Sequence, residues 1–583
     1  MGEESASENA KVGFTVSSKT VAVAAVTVLL LISLYLWTLP FHKNQLPFGE
    51  GDSAWHFAIG DHITSADKAT FRLPYVVGVW YYGFNKILGP FSPEYPPSNH
   101  VDYALMQVFG GGRFIPVFIF RAIASFMGVI SVFFLVSRLF GVLPAFIAGL
   151  GLSFSLREQL TYLFGQQPTL IAIVITPVTL YAWYKYITSV YGSEESKAGS
   201  VGSGNGNIGK GNPIYLYVTF ALLASQYFLH LQGFASSLII MAVFAAAMII
   251  KFRKLPVSKQ NIVHFVVAIL LLLVVAAPFA AIYLGAGNSA KASFKFSRLF
   301  EWGISPDYFK GSFPPAFSMF SAEYPKILVP FLSVGITLLL LRLFLVKNNT
   351  REIFLLSWLI GTYIVLHLDV FTNTGLNRLA RMLVLENYVF FTLIAMSAVW
   401  LPQTLASFLK LNSGIASAAK YILAGILIFA LLMTSGRSAY ATLSQAYSGI
   451  DRITPVQAAF ASGYLAKLPE RAVIYDPSLR VVGQWRYPKM RWMLAISQRH
   501  VGTYNSDTFA FPDYVNKSEV YFMFDYSDIA LFASNPSSSQ QGAAWASQLQ
   551  QVEMRWFNST RPLYDKDNIR LYKYSDIQGG GAK

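Results

Sequence analysis

Asp52 and His56 stand four residues apart in Gly49-Glu50-Gly51-Asp52-Ser53-Ala54-Trp55-His56, a segment that follows closely on the first long apolar run. On a helix this spacing puts both side chains on one face. A carboxylate beside an acceptor hydroxyl can serve as general base, and an imidazole can relay a proton or bind a phosphate. Asp61 and His62 follow a little further on. The plainer alternative is that Asp52 caps a short interfacial helix and His56 sits at headgroup level. Later in the same loop, Phe91-Ser92-Pro93-Glu94-Tyr95-Pro96-Pro97 fixes a rigid turn that presents Glu94 and Tyr95. A structural turn at a membrane surface explains those two residues equally well.

Three further groups carry the same kind of signal. The short segment Arg157 to Pro168 concentrates Arg157, Glu158, Gln166 and Gln167 between two apolar runs. His230 and Gln232 lie at another junction, where a lone histidine is more often interfacial than catalytic. Arg378 and Arg381, in Asn377-Arg378-Leu379-Ala380-Arg381, are three apart and share a helical face at the end of an apolar run. Arginine forks pair with phosphate oxygens and stay charged at low dielectric, so this pair suits a phosphate or pyrophosphate ester. Snorkelling to bulk lipid headgroups is the competing explanation. The stretch 287–326, with Lys291, Lys295, Arg298, Glu301, Trp302, Asp307, Tyr308 and Glu323, could fold over such a ligand or lie as an amphipathic surface helix.

These residues need a scaffold, and composition names it. The chain has 583 residues, of which 54% are hydrophobic and 13% charged. Soluble domains carry about 25% charged residues, so this chain reads as a polytopic membrane protein. About eleven apolar stretches have spanning length: 20–40, 114–137, 140–156, 167–189, 213–229, 233–250, 262–286, 327–346, 353–368, 383–401 and 417–435. Hydrocarbon leaves backbone groups no outside partner, so all are helices. Three short loops, holding Lys251, Arg253, Lys254 and Lys259, then Lys347 and Arg351, then Lys410 and Lys420, fall on one side when the spans are threaded. The positive-inside rule makes that side cytoplasmic, with residues 1–19 a cytoplasmic tail and the C-terminus outside. The uncharged run from Val21 to Pro40 reads as a retained signal anchor, and the cell membrane as the location. The membrane domain covers 20–435 with long outer loops at 41–113 and 287–326. Residues 436–583 form a small extracytoplasmic α/β domain, with helices at Pro455–Leu468 and Gln541–Gln551 and strands at 472–475, 520–524 and 569–574.

Absences narrow the chemistry. No cysteine is present, which excludes disulfides, thiolate metal sites and cysteine nucleophiles. There is no Walker A loop, Rossmann fingerprint, HExxH or GxSxG elbow. The net charge of +15 fits basic inner loops and anionic membranes, and no Arg/Lys-rich run interleaved with aromatics marks a nucleic-acid site.

A first span, then Gly51-Asp52-Ser53-x-x-His56, then Glu94-Tyr95-Pro96-Pro97, then Gly165-Gln166-Gln167-Pro168 before a span, and finally Asn377-Arg378, resembles the GT-C superfamily of integral-membrane glycosyltransferases. That resemblance covers the whole layout, through short motifs. It implies transfer of a sugar from a polyprenyl phosphate or pyrophosphate donor, with inversion. The acceptor is a glycan, a lipid or a protein, and membrane lipids surround the enzyme. By position, Asp52 would be catalytic base or metal ligand, with His56 beside it. Arg378 and Arg381 would contact the lipid phosphate. A divalent cation, Mg or Mn, would have Asp52 and Glu158 as its carboxylates. The oligosaccharyltransferase catalytic subunit belongs to the same superfamily. Its Asp-x-Asp and its Trp-Trp-Asp-Tyr-Gly are both missing here, which argues against N-glycosylation and leaves metal dependence open. The rival readings are a flippase for lipid-linked sugars, which wants charges at the midplane and inverted repeats, and a non-catalytic membrane scaffold.

Overall fold

The computed structural model describes residues 18–42, 44–49, 52–66, 73, 98–192, 211–256, 258–277, 325–366, 379–410, 412–445, 452–482, 486–502, 516–534, 536 and 538–578. Glu94, Tyr95, Arg378 and the 287–323 stretch lie outside them.

The first span is α1 (Ser18–His42), and the following loop leads into α2 (Ser53–Ser65) and α3 (Ser98–Gly110). Next come α4 (Ile115–Phe140), α5 (Val142–Ser153), the short α6 (Leu156–Leu163) and α7 (Gln167–Val190). The bundle continues with α8 (Pro213–Leu229), α9 (Leu231–Phe252), α10 (Lys259–Ala276), α11 (Leu328–Leu345), α12 (Thr350–Leu366), α13 (Leu379–Leu409) and α14 (Ser413–Leu431). Each of the eleven expected stretches overlaps one of these helices, with 278–286 and 367–368 outside the described residues. Among the described residues, eight helical segments are long and apolar enough to cross a membrane, while Val142–Ser153 and Pro213–Leu229 are shorter apolar helices. The last span does not stop at 435. A π-helical turn at Leu432–Gly436 carries it on into α15 (Arg437–Gln445).

Burial sorts the helices. Within α13 the run from Val384 to Trp400 is buried throughout, whereas α10 buries only Asn261 and Ala268. An apolar helix with a bare surface is at home only against lipid. The core of the bundle is therefore α4, α5, α7 and α13, with α1, α10 and α14 outside.

The C-terminal part opens with α16 (Pro455–Gly463), held by a capping box between Thr454 and Gln457. It continues with β1 (Val473–Tyr475), α17 (Ser478–Val482), α18 (Arg486–Ser497), β2 (His500–Val501) and β3 (Val520–Asp525). It ends with α19 (Ser527–Ser534), α20 (Ser539–Phe557) and the hairpin β4 (Tyr564–Lys566) and β5 (Ile569–Lys573). The sheet order is β2-β1-β3-β5-β4. The first three strands are parallel, with Val473 opposite both His500 and Val520, and β5 runs antiparallel to β3 with Phe522 opposite Tyr572. Expected strands at 472–475, 520–524 and 569–574 are β1, β3 and β5. The hairpin turn Asp567-Asn568 has both residues at positive φ (56° and 61°), the geometry that matches strand twist.

Charge fills the crevice beyond the parallel strands. Arg486 pairs with Asp476 at 2.7 Å, Asp525 at 2.7 Å and Asp528 at 2.9 Å, and Lys489 pairs with Asp528 at 2.6 Å. All five are buried. Burial works against ionisation of Asp528, but Arg486 and Lys489 outweigh it and hold that carboxyl below the usual range. Burial lifts Asp476 above that range, Arg486 opposing and Asp525 adding to the lift. Burial also lowers Lys489, against the pull of Asp528.

Candidate active site

The loop between α1 and α2 is gripped from three sides. From within the bundle, Arg121 on α4 donates through Nη2 to Ser53 Oγ (3.1 Å) and to the Tyr162 carbonyl (3.1 Å). Its guanidinium also lies 5.1–5.7 Å from the rings of Phe118, Phe48 and Tyr162. From the side, the turn after α6 presses on Ser53. Gly165 has φ +75°, and a Cβ there would overlap the Ser53 side chain and backbone. Only glycine fits both the conformation and the space. From the C-terminal part, Trp492 Nε1 donates to the Gly49 carbonyl at 3.0 Å. Arg113, just before α4, ties the same face together, pairing with Asp61 at 2.8 Å and donating to the Ile496 carbonyl at 2.9 Å.

Asp52 is the N-cap residue of α2, and its carbonyl accepts from the His56 amide at 3.0 Å. Its carboxylate makes no capping hydrogen bond. A cap would have engaged the side chain with the N2 or N3 amide. Of the plainer account, the N-cap position is present and the side-chain cap is not. His56 lies one turn on and is buried, with Nδ1 2.9 Å from Nε2 of His100 on α3. One ring nitrogen donates and the other accepts. Two residues beyond His100, burial pushes the Asp102 carboxyl above its usual range.

The second loop folds as α6, and the structure brings it against the first. Arg157 and Glu158 are buried, and Asn387 Nδ2 on α13 donates to Glu158 Oε2 (2.9 Å) and Ser155 Oγ (2.8 Å). Gln166 is the half-buried N-cap of α7. Gln167 is fully buried and donates to the Arg121 carbonyl (3.0 Å) and to Ser125 Oγ, so it joins α7 to α4. His230 is the N-cap of α9, where its Nδ1 accepts from the Gln232 amide at 3.2 Å. The turn it occupies packs on α7, where Gly233 meets Ala172. Arg381 lies in the first turn of α13, about 9 Å along the helix from Asn387, towards the N-terminal end of α13.

Asp52, His56, Arg157, Glu158 and Gln167 thus gather around one end of the helical core. His100, Arg121, Ser53 and Asn387 complete the set and are not among the residues singled out by spacing. Among the described residues, no three His, Asp or Glu side chains are grouped to hold a metal ion.

No protein-family model matches the chain, and no curated protein matches it by sequence. Solved structures do match it by fold. ArnT from Cupriavidus metallidurans, bound to undecaprenyl phosphate, superposes with a TM-score of 0.52 at 13% identity, covering 94% of this chain and 98% of that one. The oligosaccharyltransferase of Archaeoglobus fulgidus in its apo form gives 0.51 at 14% identity, over 91% of this chain and 68% of that one. The same archaeal enzyme, AglB, in complex with an inhibitory peptide and a dolichol-phosphate, gives 0.50 at 14% identity, over 92% and 70%. The chain has the GT-C fold. In this fold, a polytopic helical membrane core carries a small C-terminal sheet, as the sequence leads one to expect.

Proposed function

We propose that this chain is a membrane glycosyltransferase. It would move a sugar from a polyprenyl phosphate or pyrophosphate to an acceptor at the outer face of the cell membrane. The observation that carries the reading is the convergence of the first-loop Asp52 with the α6 turn at one end of a GT-C core, on backbone pinned by Arg121, Gly165 and Trp492. Two solved structures of the same fold hold a dolichol-phosphate and an undecaprenyl phosphate, which supports a lipid-phosphate donor here.

In this reading Asp52 takes the proton from the acceptor hydroxyl. The freed oxygen forms a bond to the anomeric carbon as the bond to the lipid phosphate breaks, which inverts the configuration. The departing phosphate keeps the electron pair, and Arg378 and Arg381 stabilise its growing charge. Rigid backbone around Asp52 matters because catalysis of this kind is largely positioning. His56, hydrogen-bonded to His100, stands one turn from Asp52 and can relay the proton or hold a phosphate oxygen. Glu158, oriented by Asn387, with Arg157, Gln166 and His230, would line the sugar and acceptor side, and Glu94 and Tyr95 would close it. Division at 436 into a membrane domain and an outer α/β domain, with the N-terminus inside, belongs to the same proposal. The missing Trp-Trp-Asp-Tyr-Gly sequence supports an acceptor other than an asparagine sequon.

The test is sugar transfer by the purified protein in lipid from a panel of polyprenyl-phosphate-linked sugars, beside Asp52→Asn. Transfer or donor hydrolysis that vanishes in the variant is expected. Donor binding without turnover, indifferent to the substitution, would replace this reading with a flippase or a scaffold.

A further inference from the structure

At the opposite end of the bundle the structure holds a second polar site. From Arg121 to Phe140, α4 runs roughly 28 Å, about one hydrocarbon thickness. There a cavity of about 310 Å³ opens between α4, α11, α12 and α13. Arg342 and Arg351 line it, with Glu352 its one acidic neighbour among the described residues. Arg342 pairs with Glu352 at 3.0 Å and lies 5.0 Å from the Trp400 ring. Arg351 donates to the Leu139 carbonyl at the end of α4 (2.8 Å). Lys251 reaches the lining residue Thr350 at 2.9 Å.

A second cavity of about 680 Å³ adjoins the first and shares Phe140, Val399 and Gln403 with it. Its walls are mostly apolar, from Val21 and Val28 of α1 to Leu143 and Phe146 of α5, and Lys420 sits at its edge. The two together present a basic head compartment beside an apolar one, at the depth where headgroups of the remote leaflet lie. Arg342, Arg351 and Lys420 outweigh Glu352, so the occupant is anionic.

We propose that this double cavity binds one anionic phospholipid of the leaflet remote from Asp52. Its phosphate sits among Arg351, Arg342 and Lys251, and an acyl chain lies along α1 and α5. The bound lipid then clamps α4, α11, α12 and α13 at the end of the bundle away from the chemistry. This inference does not depend on the glycosyltransferase reading.

Native mass spectrometry of the purified full-length chain tests it, titrated with dioleoylphosphatidylglycerol, dioleoylphosphatidylcholine and inorganic phosphate in turn. One phosphatidylglycerol is expected to bind about tenfold tighter than phosphatidylcholine, and Arg351→Gln to abolish that preference. Lys420→Gln, at a half-exposed position that leaves the fold intact, is expected to weaken phosphatidylglycerol about threefold. It decides the matter if Arg351→Gln does not fold. Phosphatidylglycerol with brominated chains should quench the wild type more than Trp400→Phe. Equal affinity for both lipids, affinity unchanged in the variants, equal quenching, or displacement of the lipid by inorganic phosphate would each overturn the proposal.

Discussion

Gly165→Ala is the sharpest perturbation of the site, because it changes no group that takes part in the chemistry. A Cβ at Gly165 would lie 2.5 Å from the Ser53 amide nitrogen and 2.6 Å from its Cα. Restoring ordinary contact moves the start of α2, and Asp52 with it, by about 0.8–0.9 Å. The left-handed φ of +75° adds about 1–2 kcal/mol of strain. Stability should fall by about 2–4 kcal/mol in all. Turnover should fall about a hundredfold, the usual effect of a misplacement near 1 Å. Gly192→Ala is the control. Its φ is +59°, but a Cβ there meets nothing within 4 Å and the site lies at the far end of α7. It should lose about 1 kcal/mol and no activity. The readouts are transfer rate at saturating donor and thermal unfolding of the same preparations. A folded Gly165→Ala protein that turns over at the wild-type rate would refute the claim that the α6 turn positions Asp52. So would equal losses in the two variants.

Arg121→Met should destabilise the membrane core by about 2–4 kcal/mol, since it strips a charged donor from Ser53 Oγ and the Tyr162 carbonyl. Thermal unfolding in detergent checks this, and an unchanged midpoint would remove Arg121 from the account. Asp528 has a depressed carboxyl, so its contribution to stability is present above the ordinary range and is lost as pH falls through its folded value. Asp528→Asn should therefore be about 3 kcal/mol less stable at neutral pH, with the gap closing below about pH 4. Near-UV circular dichroism across that range reads it, and a constant gap would refute the assignment. Because the chain has no cysteine, Ser413→Cys and Ser559→Cys report sidedness directly. A membrane-impermeant maleimide should label only the second in intact cells, and the reverse would invert the proposed orientation.

The spans were legible because hydrocarbon forces every backbone group to be satisfied within its own helix, so length and apolarity nearly suffice. The sheet was legible only where strands are long and buried. β3 buries all its residues, whereas β2 has two residues and β4 leaves Asp565 and Lys566 exposed. α18 is hidden for another reason. Its segment from Lys489 to Ser497 is buried on every side, so no polar stripe marks a helical period. At the site, the spacing of Asp52 and His56 was readable, but their partners were not. His100 comes 44 positions later, and Asn387 comes 229 positions after Glu158. No local pattern encodes such pairings. Arg121 differs, because a lone arginine inside an apolar run is itself a signal that spacing arguments leave unused.

The three grips on the first loop come from three parts of the chain: α4, the α6 turn and α18. A loop held only by its own sequence would sample many positions of Asp52 and lose most of the advantage of proximity. Here Arg121 supplies charge-assisted hydrogen bonds, Gly165 supplies close contact, and Trp492 supplies a bond to the backbone three residues before Asp52. Each acts on backbone or on Ser53, and none is used up by engaging the Asp52 carboxylate. That division sets the position of Asp52 through the fold rather than through its own carboxylate. It also explains why the C-terminal part carries a buried charge cluster. Arg486 and Lys489 sit on the same helix as Trp492, about two turns and one turn before it, so the pairs that fix α18 on the sheet also fix the indole on Gly49. Loosening Asp476 or Asp528 should therefore reach Asp52 through α18, with transfer falling before the membrane core unfolds.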